Sequence, residues 1–409
     1  MIIQKTMTYY LLVFILAVAI FSFKINLISI GGSGIRVDDL LIFLLVIVII
    51  ANLKKKFVPI NNKPILLTLI LVVFSFFSVY INNQLYSLPL LTGVMYSIRI
   101  LEYMLFFYVG YYLANTKFNL DSFVKLYIIY AFVLIILQTF HIIPIVSGFS
   151  VGRAIANTGG PWELAALISF MLFYTLEYIK NKIYFYISFI ILILTQSRIT
   201  TFIVLVILFF RFTKRLSYKK ILFLIGFFII GTSIILYSNL DLVDRYISLF
   251  NINTFNSIIG LLDSINFKID SNYYFAATYG NGLSNVLSME GDGSALIRFY
   301  RWAILIGMTF STYVSFFIGI GPSFASSAVD GNYVRIFIET GVIGLFLFLY
   351  IIYVIFKSTK YDFVMRSYLI TIIITAIFID IYTTYKAMVL MWFYYGYLLR
   401  KRRNENIIC

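Results

Sequence analysis

One cysteine and one histidine are all that 409 residues hold of the side chains best suited to thiol and metal chemistry. The cysteine, Cys409, stands at the last position, which excludes an intramolecular disulfide or a thiolate metal site. His141 alone cannot build a zinc centre or a histidine-based catalytic pair. Carboxylates are also few, 17 Asp and Glu against 32 Lys and Arg, and charged residues of both signs make up only 12% of the chain. Any catalysis must therefore rest on a handful of carboxylates, on arginines and on hydroxyls, with no metal site and no cofactor expected.

What is abundant is apolar. Hydrophobic residues reach 62% and the mean hydropathy is +0.96, which excludes a soluble protein and points to a polytopic membrane protein. The net charge of +15 does not imply a nucleic acid partner, because the cations lie in short clusters between apolar runs, the positive-inside pattern. An apolar stretch from about Met7 to Phe23 follows Lys5 with no small-residue cleavage site after it, so it reads as a retained first span.

Runs near 7–28, 37–53, 64–81, 98–114, 122–146, 162–179, 183–196, 198–212, 220–237, 333–356, 366–382 and 385–399 give about twelve helices. This predicts an all-α polytopic fold: nine spans within 1–237, an outer-face loop at 238–332, and three spans with a basic tail at 333–409. Clusters such as Lys54 to Lys56 and Arg400 to Arg403 follow even-numbered spans, which predicts cytoplasmic termini. The seventh and eighth runs, about 15 residues each, are short for a crossing and should form a hairpin at Gln196-Ser197-Arg198. Counting the run from Trp302 to Ile320 as a span would reverse the charge bias after it, so it reads as re-entrant or interfacial.

On this topology the cytoplasmic side carries fifteen lysines and six arginines, the outer side three lysines and eight arginines. Arginine stays charged when partly desolvated and grips phosphate bidentately, so an anionic ligand on the outer face is expected. An intramembrane charge costs roughly 3 kcal/mol on insertion scales. Local pairing accounts for Arg99 with Glu102, Arg245 with Asp241 or Asp244, and Arg335 with Glu339; Arg153, Arg198, Arg298 and Arg301 have no carboxylate near in sequence.

Three blocks resemble the O-antigen polymerase and ligase superfamily. They are Gly152-Arg153 with Gly159-Gly160-Pro161-Trp162-Glu163, then Thr195-Gln196-Ser197-Arg198, then Arg298 and Arg301 ahead of Gly319-Ile320-Gly321, Asp330-Gly331-Asn332 and Glu339-Thr340-Gly341. In their order the chain is similar to Wzy-type oligosaccharide repeat-unit polymerases. Ligases of this superfamily usually show a His-Asn pair where this chain has Gly331-Asn332, which favours polymerase over ligase.

The resemblance implies a GT-C-like glycosyltransferase of the bacterial cytoplasmic membrane, active on its outer face without a metal. Donor and acceptor would be undecaprenyl-diphosphate-linked oligosaccharides, building an O-antigen or capsular polysaccharide beside membrane lipid, a flippase and a chain-length regulator. Arg198, Arg298 and Arg301 would grip the diphosphate, with Arg153 on the same phosphates or on the second substrate. Glu163 and Asp330 are the two candidates for the base; each also has a structural explanation, a helix N-terminus for Glu163 and a turn for Asp330. Ser197, Asn332 and Arg99 are further candidate contacts. A ligase of the same superfamily and a lipid-linked oligosaccharide flippase are the competing expectations.

Overall fold

The structure is a computed structural model and describes residues 2–23, 26–30, 33–53, 62–88, 90–143, 153–213, 256, 293–322, 324 and 329–408. The expected ninth span at 220–237, the outer loop over 238–292 apart from residue 256, with Arg245, and Gly152 lie outside the described residues.

The protein is helical. In order come α1 Ile2–Phe21, a hairpin of β1 Asn26–Ile30 with β2 Ser33–Arg36, α2 Val37–Leu53, α3 Lys63–Tyr86, α4 Leu90–Met104, α5 Phe106–Leu113 and α6 Leu120–Thr139. Then follow α7 Pro161–Tyr178, α8 Ile183–Leu194, α9 Arg198–Thr213, α10 Gly293–Phe310, α11 Tyr313–Ile318, α12 Asn332–Ser358, α13 Phe363–Thr375 and α14 Tyr385–Ile408. Among the described residues four stretches are long and apolar enough to cross a membrane: Lys63–Tyr86, Leu90–Leu113, Leu120–Thr139 and Asn332–Ser358. Together with the shorter apolar helices they make this a membrane-embedded protein. Large side chains such as Phe43, Val73, Phe77 and Phe346 stay more than half exposed, which an apolar solvent tolerates and water does not.

The chain divides into two compact units that are interleaved in sequence and cut across the blocks expected from hydropathy. The first comprises Met1–Val73, Ser97–Val204 and Leu347–Cys409, the second Phe74–Tyr96 and Leu205–Phe346.

In the first unit α7 is central: every side chain from Glu163 to Thr175 is buried, so this apolar helix faces other helices rather than lipid. Phe170 packs edge-on against Tyr368 of α13 and Tyr394 of α14, and the Tyr368 hydroxyl donates to the Ala387 carbonyl at 3.0 Å. Beside it, α5 and α14 approach at two glycines. A Cβ on Gly110 would sit 1.8 Å from the Phe393 carbonyl oxygen, and one on Gly396 2.1 Å from that of Phe107. Small residues at a helix seam permit such backbone contact in apolar surroundings, where dispersion replaces the hydrophobic effect as the driving force.

The second unit joins the latter part of α3, α10, α11 and the start of α12. Leu305 and Met308 of α10, Ile320 and Ile338 form its buried apolar centre. The run from Trp302 to Ile320 is not one helix: it breaks at Thr312, whose hydroxyl caps α11 by accepting from the Ser315 N–H at 3.1 Å.

Gly396→Ala is expected to force α5 and α14 apart and to cost about 1–3 kcal/mol. Thermal unfolding of the purified protein reads this as a lowered Tm, and an unchanged Tm would refute the close seam.

Candidate functional site

In the first unit the loop after α6 carries Arg153, and backbone bonds fix its course. The Ala154 N–H donates to the Leu194 carbonyl at 2.9 Å, laying the loop along the end of α8. Arg153 then donates through Nε to the Thr195 carbonyl (3.3 Å) and through a terminal nitrogen to that of Gln196 (3.4 Å). These carbonyls end α8, where a cation is favoured by the helix dipole. Gln196 has φ +52°, reversing the chain so that α9 starts at Arg198, which is half-buried. Ser197 is buried and its hydroxyl donates to Thr200 Oγ1 at 3.0 Å. Arg153 and the Ser197-Arg198 turn, separated by more than forty residues, are thus brought together; the chain turns at Gln196 as the sequence predicts, but α8 and α9 do not pack along each other as the expected hairpin, α8 lying instead against α7 and α6.

Glu163 opens α7 two residues after Pro161, and it is 1% exposed. One carboxylate oxygen reaches back past the start of α7 to accept from the Gly159 N–H (2.8 Å). The other accepts from the backbone N–H of Lys386 (2.9 Å), so the same side chain caps both α7 and α14. Lys386 is buried too. Its ammonium donates to the carbonyls of Ile20 and Asn157, both at 2.9 Å, and to that of Ser22. Asn157 adds its own amide to the Ile20 carbonyl (2.8 Å) and accepts from the Tyr127 hydroxyl (3.2 Å), while Gln138 pairs with both backbone groups of Ala156. The Glu163 side chain thus has a structural task, tying the Arg153 loop to α14, while Lys386 and Asn157 tie both to α1.

In the second unit Arg298 and Arg301, three apart on α10, share one face. Both reach Asp330 Oδ2, Arg298 through Nε at 3.7 Å and Arg301 through a terminal nitrogen at 3.9 Å. The carboxylate that sequence proximity did not supply therefore comes from some thirty residues further on. Those distances exceed the ~2.8 Å of a charge-assisted hydrogen bond, so these two contacts are ion pairs rather than direct hydrogen bonds. Asp330 holds φ +59°, and Trp302 Nε1 donates to the neighbouring Val329 carbonyl at 2.9 Å, binding this turn to α10. The Asp330 and Arg298 side chains are 37% and 32% exposed, open to a ligand.

Asn332 begins α12 and is buried. Arg335 is 2% exposed and pairs with Glu339 at 3.2 Å, the local pairing that the sequence allowed. Arg99 is half-buried on α4, on the face of Glu102 three residues later.

The helix carrying Arg335 and Glu339 is broken just after them. Gly341 has φ +65°, and the carbonyls this releases find new donors: Ile338 accepts from the Ile320 N–H (2.7 Å), Glu339 from the Gly321 N–H (3.1 Å) and the Ser78 hydroxyl (3.2 Å). Gly319, at φ +79°, crosses so close that its added Cβ would lie 2.4 Å from the Glu339 carbonyl carbon. The Gly319-Ile320-Gly321 motif thus serves as backbone donor to a broken helix. Gly341 makes the break.

Lys386 went unrecognised in the sequence. The signal was there: a lysine in the first turn of a helix opposes the dipole, so it must have acceptors elsewhere. Among the described residues no three His, Cys, Asp or Glu side chains gather as metal ligands. No protein-family model matches the chain, and no curated protein matches it in sequence.

Two arginines around one exposed carboxylate form a site of net positive charge with one proton acceptor.

Lys386→Met takes a donor from three carbonyls, of which those of Ile20 and Ser22 keep the Asn157 amide, and is expected to cost about 3 kcal/mol; Glu163→Gln, which sets an amide N–H against a backbone N–H, about 1–3 kcal/mol. Thermal melts of the two purified variants check this order, and equal Tm values to the unaltered protein would contradict it.

Proposed function

We propose that this protein is a membrane glycosyltransferase that polymerises undecaprenyl-diphosphate-linked oligosaccharide repeat units on the outer face of the bacterial cytoplasmic membrane. The observation that carries the reading is the convergence of Arg298 and Arg301 on Asp330. The order of the three sequence blocks supports it.

In this reading the donor diphosphate takes the two guanidiniums and replaces Asp330 as their counter-ion. Arginine forks neutralise the leaving group as charge develops on it. Released from the arginines, Asp330 accepts the proton of the acceptor hydroxyl. That oxygen bonds to the anomeric carbon of the donor sugar, the bond from this carbon to the diphosphate oxygen breaks, and undecaprenyl diphosphate leaves with the electron pair. Asp330 is preferred to Glu163 as base because both Glu163 oxygens already accept backbone N–H groups in a buried setting. Arg153 and Arg198 form a second basic element, assigned to the other lipid-linked substrate. Asn332 positions the turn that carries Asp330. About twelve spans, cytoplasmic termini and a GT-C-like fold belong to the same proposal.

Arg298→Ala in the producing cell, with membrane levels of the protein verified, is expected to reduce the surface glycan ladder to a single repeat unit on a gel. Long glycan retained on its lipid carrier would indicate a ligase instead. Repeat units confined to the cytoplasmic face would indicate a flippase, and either result would overturn the assignment.

A further inference from the structure

At the end of the first unit remote from Lys386, the last helix turns from apolar to basic: α14 runs Tyr394-Tyr395-Gly396-Tyr397-Leu398-Leu399 and then Arg400-Lys401-Arg402-Arg403. The four cations rest on aromatic rings and hydroxyls of other segments. Lys401 lies over the ring of Tyr178 (5.9 Å) and Arg402 over that of Tyr361 (4.7 Å). Among the described residues none of the four makes an ion pair. The carboxylate of Asp362 nearby accepts from the hydroxyls of Tyr178 (2.6 Å) and Tyr394 (3.2 Å), and its other oxygen caps α13.

One point in this face is unlike the rest. Arg400 and Arg403 both donate to the same phenolic oxygen, that of Tyr111, at 3.3 and 3.2 Å. Two positive guanidiniums thus stand within about two hydrogen-bond lengths of each other, sharing a neutral acceptor. Arg400 Nε is buried without a hydrogen-bond partner among the described residues. Tyr111 is itself fixed, 5% exposed and stacked on Phe107 at 6.0 Å, on the helix that meets α14 through Gly110 and Gly396. Asn404 donates to Asn115 at 3.3 Å and holds the last turn of α14 to the end of α5. Like charges so placed repel unless an anion lies between them. A tetrahedral phosphate accepts from two guanidinium forks at once, and Tyr111 keeps its own hydrogen to donate.

We infer that Arg400, Arg403 and Tyr111 form a binding site for the headgroup phosphate of an anionic phospholipid. The occupant follows from the position. The site lies where an apolar helix becomes charged and tyrosines line the boundary, which is the depth of lipid phosphates. The surrounding unpaired cations attract an anionic leaflet, while the Arg400–Arg403 pair supplies the geometry that selects one headgroup.

The test uses the full chain reconstituted in vesicles of phosphatidylglycerol mixed equally with phosphatidylcholine, then released in detergent for native mass spectrometry. The unaltered protein is expected to retain phosphatidylglycerol over phosphatidylcholine. Replacing both arginines, Arg400→Gln with Arg403→Gln, should lower this preference by roughly tenfold, whereas Lys401→Gln with Arg402→Gln, removing equal charge, should leave most of it. Equal losses in the two double variants would overturn the site in favour of a diffuse field. Displacement of the lipid by inorganic phosphate at matched concentration would overturn the lipid as occupant. Should the glutamine pair fail to fold, Arg400→Lys with Arg403→Lys keeps the charge and loses the forks; unchanged retention there would also overturn the proposal.

Discussion

Backbone carbonyls and N–H groups in apolar surroundings must find partners within the protein, and both candidate clusters exist because of how this chain meets that demand. Where α12 breaks at Gly341, the carbonyls of Ile338 and Glu339 are met by the N–H groups of Ile320 and Gly321. That contact holds Ile320 and Gly321 against α12, while the Trp302 bond to the Val329 carbonyl holds the Asp330 turn against α10. Where α1 ends, Lys386 and Asn157 meet the carbonyls of Ile20. That contact fixes the loop bearing Arg153. In each unit the charged side chains stand on irregular backbone, and the irregular backbone is tolerated because buried donors and acceptors complete it.

The arginines then divide by what they face. Arg335 is buried against Glu339 and is spent on structure. Arg153 holds the carbonyl end of α8. Arg298 and Arg301 differ: they share the partly exposed carboxylate of Asp330. In the proposed function this is the charge that the donor diphosphate replaces.

Much of this was legible in the chain. Apolar runs gave helices close to their observed bounds, as for α3, α7 and α12, because hydrophobic length is a strong signal. The turn at Ser197-Arg198 and the Arg335–Glu339 pair were read from local spacing, whereas the break of the Trp302–Ile320 run at Thr312 was not. What escaped was non-local. Asp330 as partner of Arg298 depends on a turn with left-handed backbone some thirty residues away. The capping of α14 by Glu163 spans more than two hundred residues, and no spacing rule reaches that far. The Gly341 break was hidden in an unbroken apolar run, since a glycine there reads equally well as a packing residue.

The most direct test of the central claim is a calorimetric titration of the purified full-length protein with a short-chain polyprenyl diphosphate, comparing Arg298→Gln with Asp330→Asn. If Asp330 is the counter-ion that diphosphate replaces, Arg298→Gln weakens binding and Asp330→Asn strengthens it, because a competing anion has been removed. If Asp330→Asn weakens binding as much as Arg298→Gln does, the carboxylate is holding the arginines in place rather than standing in for the ligand, and the account of the site is wrong.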